Sequence, residues 1–566
     1  MRIACGAGVL LSLILISASA FAGQPRERAM APAPVDNGQR VADRAQRATI
    51  AREYLSARKS AESSCLNSLA SSVRWLAALN AQNEAQELVK EIRGSDPKYV
   101  GLQQLDKLVA DIARPIALEE SKKKELATRK SSAQRQKATA LVELAGRCYR
   151  GELLGYAYDL AWDALLADPD NTVVRAAMGQ TKVGDAWRSP FAVAALGRGD
   201  VYVPDVGWVP KAAQARVAAG EWQENGTWMP MDEANRVHAN PANPWTLETD
   251  NFILKSNATR KQAVFIAEKL EDIRELCFRE YLEFFLRGSK KTAGQMLFNK
   301  PSPKKLVVNY FGCKADFIQA INASSIPAES KPLLLRSAGF YSPNVHASFF
   351  YHDANFGPFQ VIVMQHEVTH QVLGEYSTGG ADLPWLGEGV AEALEAAMPT
   401  SESNRLVLPH GYEHPDVIKA AEMLKHNTLP NITALMSLSR PEFHVEAVRH
   451  SNYIVSGALC RFLMEYKDGA YAADFLEYLY DSYQARSPLG IAKYLGMEPA
   501  EIDREFKSYL SGCDSDYGKR EVASNTQPKT PGESQQPVKK QDPPKSNSAA
   551  RSVSSDDDNP FRRNEN

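Results

Sequence analysis

The chain has 566 residues, 44% of them apolar, and a formal net charge of −2. At ~100–200 residues per domain, that length predicts two or three folded units plus tails, with apolar residues enough for a sizeable core. The balanced charge gives a phosphate backbone nothing to grip, so nucleic acid is excluded as an expected partner.

The N-terminus reads as an export signal. Met1-Arg2 gives a positive start, VLLSLILIS is a short apolar run, and Ala20-Phe21-Ala22 is a small-x-small cleavage pattern. Residues 1–22 are therefore expected to leave as a signal peptide, and the mature protein to be periplasmic or secreted. The alternative is an uncleaved anchor, but the run falls short of the about 20 residues a spanning helix needs. No later stretch is long and apolar enough, so no membrane span is expected in the mature chain. Six cysteines remain after Cys5 leaves with the signal: Cys65, Cys148, Cys277, Cys313, Cys460 and Cys513. Export permits disulfides, buried thiols are the competing reading, and no CxxC marks a metal or redox site.

Residues 23–60 are polar and basic and read as a linker. Residues 61–170 read as an α-helical domain. The stretch SSVRWLAALNAQNEAQELVKEI puts Trp75, Leu76, Leu79, Leu88 and Ile92 on one side of a helix, and LGYAYDLAWDALLADPDN is a small-residue helix ending in a turn. The latter is similar to a tetratricopeptide-type helix, without a second copy at a fixed period. Residues 180–240 contain a duplication. GWVPKAAQARV and TWMPMDEANRV align on Trp208 and Trp228, and both carry W-x-P followed by Arg-Val. Each copy is expected to be a strand plus a short helix, with Trp anchoring a small core and Pro opening the helix. Exposed tryptophans binding a glycan or peptide are the alternative.

Residues 245–512 alternate strand and helix signals, then become helical. WTLETDNFILKS, KKLVVNYF and GFYSPNVHASFFYHD read as strands, and the segment from Ala258 to Phe285 as a long helix. The fold class expected is α+β. Residues 513–566 are rich in Ser, Pro, Lys, Asn, Gln and Asp, too polar to bury a core, and are expected to be disordered.

All ten histidines lie between His238 and His450, which assigns histidine chemistry to the α+β region. His366-Glu367-Val368-Thr369-His370 fits H-E-x-x-H. Residues four apart stack on one helix face, so both imidazoles reach one ion, and Glu367 beside them is placed to take a proton from water. Val361, Ile362, Val363, Met364, Val372 and Leu373 suit a buried helix, with Gly374 placed to end it. A core helix with two hydrogen-bonded histidines fits the same pentapeptide, so a third ligand decides between the two. DLPWLGEGVAEALEAAMP supplies one: Glu388, eighteen residues after His370, near the start of a second helix entered at Pro384. Glu392, one turn on, is expected to accept the other ring N–H of a ligand histidine. Two imidazoles and one carboxylate are a zinc set that leaves a position for water.

H-E-x-x-H followed by W-L-x-E-G-x-A resembles the gluzincin metallopeptidases, the thermolysin-like and aminopeptidase-N-like enzymes. GFYSPNVHASFFY, HEVTHQV, WLGEGVAEALE, LPNITALMSLSRPEF, NYIVSGALCRFL and LGMEPAEIDREFKSYL together resemble a bacterial peptidase-MA-like family of exported proteins without assigned function. The resemblance covers about half of the chain. It implies a thermolysin-like zinc core with a mainly helical C-terminal half, zinc held by His366, His370 and Glu388, and Glu367 as general base. It also implies that Tyr453 stabilises the oxyanion, although Val455 and Ser456 stand where aminopeptidase-N-like enzymes carry Lys and Gly. His450 is a spare candidate for that task. The Gly-x-Met-x-Asn strand of those aminopeptidases is missing, so aminopeptidase action is not implied. His346, His352 and Asp353 are minor candidates for the cleft. The function expected is an exported zinc metallopeptidase acting on a peptide or protein, with the N-terminal helices open to protein partners. The rival is a non-catalytic cell-envelope scaffold with a relic peptidase-like domain.

Overall fold

The computed structural model describes residues 37–524, apart from 152, 288–295, 300–303, 356–358, 380–381, 400–404, 410 and 485–489. The expected signal peptide lies outside the described residues. Among them no helix is long and apolar enough to cross a membrane.

Helix α1 (Asn37–Ala78) begins inside the stretch read as a linker. Its polar residues find partners that a linker would lack. Arg44 and Arg47 both reach the buried Asp474, at 2.7 and 3.0 Å, and Arg58 reaches Asp163 at 2.6 Å. The apolar run read as one helix is broken at Asn80, whose φ of 57° is left-handed. Beyond it come α2 (Gln82–Ser95), α3 (Leu102–Ala110) and α4 (Glu120–Arg150). Leu69, Val73, Leu88, Ile92, Leu105 and Val109 form a core of their own there. Helix α5 (Leu154–Ala167) lies against α4 and turns alanines 157, 161 and 164 fully inward.

After α6 (Thr172–Ala177) the duplicated segment proves to hold three hairpin-plus-helix units. They are β1–β2 (Thr181–Val183, Ala186–Arg188) with α7 (Pro190–Gly197), β3–β4 (Asp200–Val203, Gly207–Pro210) with α8 (Gln214–Ala218), and β5–β6 (Glu221–Glu224, Thr227–Pro230) with α9 (Met231–His238). The first unit escapes a search for W-x-P because two residues, not one, separate Trp187 from Pro190. The third hairpin turns at Asn225-Gly226, both at positive φ, as a tight two-residue turn requires. Val203, Val206, Val209 and Val217 fill the small core, and the partly buried Trp222 and Trp228 pack against it. Trp208 and Trp228 are half-buried; Trp228 is faced by Arg216 at 4.2 Å, and Trp187 donates to Asp170 at 2.7 Å.

Strands β7 (Trp245–Glu248) and β8 (Phe252–Ser256) are antiparallel. A capping box, Thr259 with Gln262, then starts α10 (Arg260–Glu280), followed by α11 (Leu282–Leu286); such a cap is worth about 1 kcal/mol. Strand β9 (Leu306–Phe311), α12 (Lys314–Ala323), α13 (Lys331–Leu334), β10 (Gly339–Ser342) and β11 (Ala347–Tyr351) complete one five-stranded sheet. Its order is β10-β11-β9-β8-β7, so β10 is an edge strand, and β11 and β8 run parallel to β9. Helices dominate the rest: α14 (Phe359–Glu375), α15 (Pro384–Glu395), α16 (Pro415–Lys425), α17 (Ile432–Ser437), α18 (Arg440–Phe443), α19 (Glu446–Gly469), α20 (Ala472–Tyr483), α21 (Ile491–Leu495) and α22 (Pro499–Ser524). A two-residue strand pair, β12–β13 (Met398–Pro399, Leu406–Val407), sits after α15. Helix α22 runs past residue 512 into the stretch read as tail. The protein is thus mixed α+β, mostly helical, with a small sheet.

The main core is continuous from Tyr54 to Leu510, so α1, α4 and α5 share it with the sheet and the C-terminal helices. The described residues up to Gly518 form one compact unit. The five cysteines with described side chains are free thiols, four buried and Cys313 exposed.

His414 caps α16 by accepting from the Asp416 N–H at 3.2 Å, and its Nε2 lies 3.0 Å from the Ala393 carbonyl, to which it donates. Burial lowers its pKa to about 3. A neutral buried imidazole stabilises the fold above the ordinary value of about 6.5, and that contribution is lost as pH falls from there toward the folded value. His414→Asn keeps a cap acceptor without the titration. Denaturant unfolding between pH 7 and 4 should therefore show the wild type losing stability faster than this variant.

Candidate metal centre

Helix α14 is fixed in rotation before any ligand is considered. Val363, Met364, Val368, Val372 and Leu373 are buried on its core side. Gln371 donates to the Val307 carbonyl of β9 at 2.9 Å and accepts from the Ser348 hydroxyl of β11 at 2.8 Å. Gln365 donates to the Ala397 carbonyl at 3.1 Å, beyond the end of α15. Gly374 does not end the helix, which continues to Glu375. Instead, the ring of Tyr341 leaves little room for a side chain there: a Cβ would sit 3.2 Å from it.

With that rotation set, His366 and His370 face α15. Their Nε2 atoms are 3.1 Å apart, and Glu388 Oε2 lies 3.2 Å from the first and 3.4 Å from the second. Donor atoms of the three residues all lie within 4.8 Å of one another. His366 and Glu388 are buried, while the His370 side chain keeps 13% exposure and so marks the open side. The partner of the other His366 nitrogen differs from expectation. Nδ1 meets Glu395 Oε1 at 2.5 Å, whereas Glu392 Oε2 stands off at 3.9 Å. Glu388, Glu392 and Glu395 form one helical stripe, and the last of them reaches farther along α14. The stripe is visible in the sequence; which member reaches the ring depends on how the helices cross.

The donor atoms of this cluster are a set that fits a cation. Burial opposes the Glu388 charge, but the two imidazoles outweigh it and hold the carboxyl well below the usual range. Burial also opposes a charged His366, and its contacts with Glu388 and Glu395 push it well above the usual value. Burial lowers His370. Burial, Glu395 and Asp416 together push Glu392 well up. Four carboxylates thus surround two imidazoles, and Oε1 of Glu367 and Oε2 of Glu392 are buried without a hydrogen-bond partner. Buried carboxyl oxygens without partners are costly, and either a proton or a divalent ion relieves them. Two imidazoles and a carboxylate suit zinc, so these residues fit that ion.

Glu367 lies beside the cluster and is fully buried. Its Oε2 accepts from the Tyr341 backbone N–H at 2.9 Å, so the edge strand β10 fixes its position. Burial raises it to about 8, against the pull of His366; a nearby divalent cation lowers it.

Glu388 reaches the histidines because α15 and α19 cross closely. A Cβ on Gly389 would lie 2.7 Å from the Ser456 carbonyl oxygen and 2.9 Å from Cys460 Sγ. A Cβ on Gly457 would lie 2.6 Å from Asp416 Oδ2 and 3.0 Å from Glu392 Cγ. Tyr453 on α19 is fully buried, its ring 6.3 Å from that of His366 and its hydroxyl 3.5 Å from His444 Nδ1. Two residues unmarked in the sequence join the site. His444 follows α18, and Arg440 opens it, with Nη1 3.6 Å from Glu388 Oε1 and Nη2 2.8 Å from Asp382. Only the tertiary fold brings them here.

The minor candidates are engaged elsewhere. His346 pairs with Glu375 at 2.9 Å, His352 contacts Tyr310 and Gln262, and Asp353 bonds Asn355. His450 is exposed on α19. Comparison with family models, curated proteins and solved structures yields no match to this chain.

Three substitutions test this geometry. Gly389→Ala should cost about 1–3 kcal/mol by overpacking and lower zinc affinity, read from thermal unfolding and metal titration. Glu395→Gln should weaken zinc binding by about 10–100-fold, with Glu392→Gln the milder change.

Proposed function

We propose that this chain is an exported zinc metallopeptidase with a thermolysin-like core that hydrolyses peptide bonds. One observation carries the reading: His366, His370 and Glu388 converge on one point, with a buried Glu367 held next to them. Zinc held by those three would polarise a peptide carbonyl and make water acidic enough to attack.

The chain's own residues supply the remaining chemistry. Glu367 takes the proton of the attacking water on Oε1, the oxygen without a partner, while Oε2 stays anchored to the Tyr341 N–H. It returns that proton to the leaving amine. Tyr453 donates to the oxygen that gains charge as the carbonyl becomes tetrahedral. Glu395 keeps the His366 ring in one tautomer, with Nδ1 protonated and Nε2 free to coordinate. As an edge strand, β10 gives an extended peptide a backbone to lie along beside Glu367.

The test is metal content together with cleavage of a peptide library. Purified protein should hold about one zinc per chain. Glu367→Gln should keep the metal and lose cleavage by about 10²–10⁴-fold. Tyr453→Phe should keep the metal and lower kcat about a hundredfold or more. A folded, metal-free protein would sink the zinc reading, and a zinc-loaded one inert toward the whole library would favour the scaffold.

A further inference from the structure

Beside the metal centre lies a positively charged rim that neither ligation nor proton transfer uses. Arg440 and Arg449 are nearly buried, at 15% and 14% side-chain exposure, yet the acids they pair with, Asp382 and Glu446, are 55% and 79% exposed. Ion pairs with such exposed carboxylates are weak and readily exchanged. Burial lowers the His444 pKa, Glu388 and Asp382 pull it up, and the guanidinium groups of Arg440 and Arg449 push it down. The His444 Nε2 is buried without a hydrogen-bond partner.

The rim is tied to the reaction centre by geometry. Arg440 Nη1 lies 3.6 Å from the ligand Glu388. Arg449 precedes Tyr453 by one helical turn and so shares its face of α19. The corner between α18 and α19 is locked, because buried Asn452 donates to the Phe443 carbonyl at 2.9 Å. That lock keeps the His444 ring 5.8 Å from that of Tyr453. Two guanidiniums with exchangeable partners and an imidazole nitrogen lacking one are the donors that a carboxylate takes up.

We propose that Arg440, His444 and Arg449 form a carboxylate subsite, so that the cleft selects peptides carrying an acidic side chain or a free C-terminus next to the scissile bond. This rests on the reading of the site as a peptidase. Asp382 and Glu446 hold the arginines in place until the peptide carboxylate displaces them.

The experiment uses zinc-loaded Glu367→Gln protein, which binds without cutting, and four fluorescent pentapeptides. They carry glutamate or glutamine as the third residue, each with a free or an amidated C-terminus. Anisotropy should show at least about tenfold tighter binding where the recognised carboxylate is present. Loss on the glutamine exchange assigns the side chain, and loss on amidation assigns the C-terminus. Arg449→Gln, added to that protein, should bring the peptides to equal affinity, and Arg449→Lys should restore part of the difference, at unchanged zinc content. Equal binding of all four peptides, or a preference that survives Arg449→Gln, overturns the subsite. Wild-type protein that cuts all four alike leaves the peptidase standing without the subsite. Carboxylate-dependent binding with no cutting of any peptide leaves the subsite and removes the peptidase.

Discussion

The contact on which the rest of the site depends is the buried imidazole of His366, held between Glu388 on one nitrogen and Glu395 on the other. Two carboxylates and a ring have left water together, and their desolvation is offset only if all three stay in register. The scaffold supplies that register from both sides. Gln371 and Gln365 fix α14 against the sheet and the end of α15, and Gly389 and Gly457 let α15 and α19 approach without a Cβ between them. The glycines thus set how closely Glu388 approaches the histidines, because a helix pushed outward by one methyl carries Glu388 with it.

The sheet enters the chemistry at one point. Strand β10 has a neighbour on one side only, and the Tyr341 N–H, pointing away from β11, bonds Glu367. The same edge therefore orients Glu367 and has no strand neighbour on its outer side among the described residues. Gly339 keeps that edge close to the sheet, since a Cβ there would collide with the Phe350 ring at 2.3 Å.

What was legible in the sequence followed local rules. Four-residue spacing put His366 and His370 on one face, and the Pro384 entry placed Glu388 near a helix start, because both depend on helical periodicity alone. Strands β9 to β11 announced themselves by apolar runs and turn residues, whereas the β7–β8 hairpin was read as one alternating strand. What was not legible depended on tertiary crossings. Glu395 lies on the same stripe as Glu392, and only the crossing of α14 and α15 decides which of them meets Nδ1. Arg440 and His444 reach the site through a corner closed by Asn452, eight residues or more away in sequence, with no spacing rule to mark it. Helix α1 was hidden because its polar face is satisfied by Asp474 and Asp163, far along the chain.

Those long-range pairs also explain how the N-terminal helices relate to the centre. Tyr158 on α5 donates to Glu275 on α10 at 2.6 Å, and Arg279 and Arg405 close on the same carboxylate at 3.0 Å each. On the opposite side of α10, Cys277 lies 3.4 Å from Thr369, within the H-E-x-x-H segment. Three helices, α5, α10 and α14, thus lie in succession from the N-terminal region to the metal ligands, without a linker between them. Arg279 and Arg405 are nearly buried on the half-exposed Glu275, and the next layer is the continuous, close-packed core. The helical region is therefore a structural wall behind the candidate metal centre.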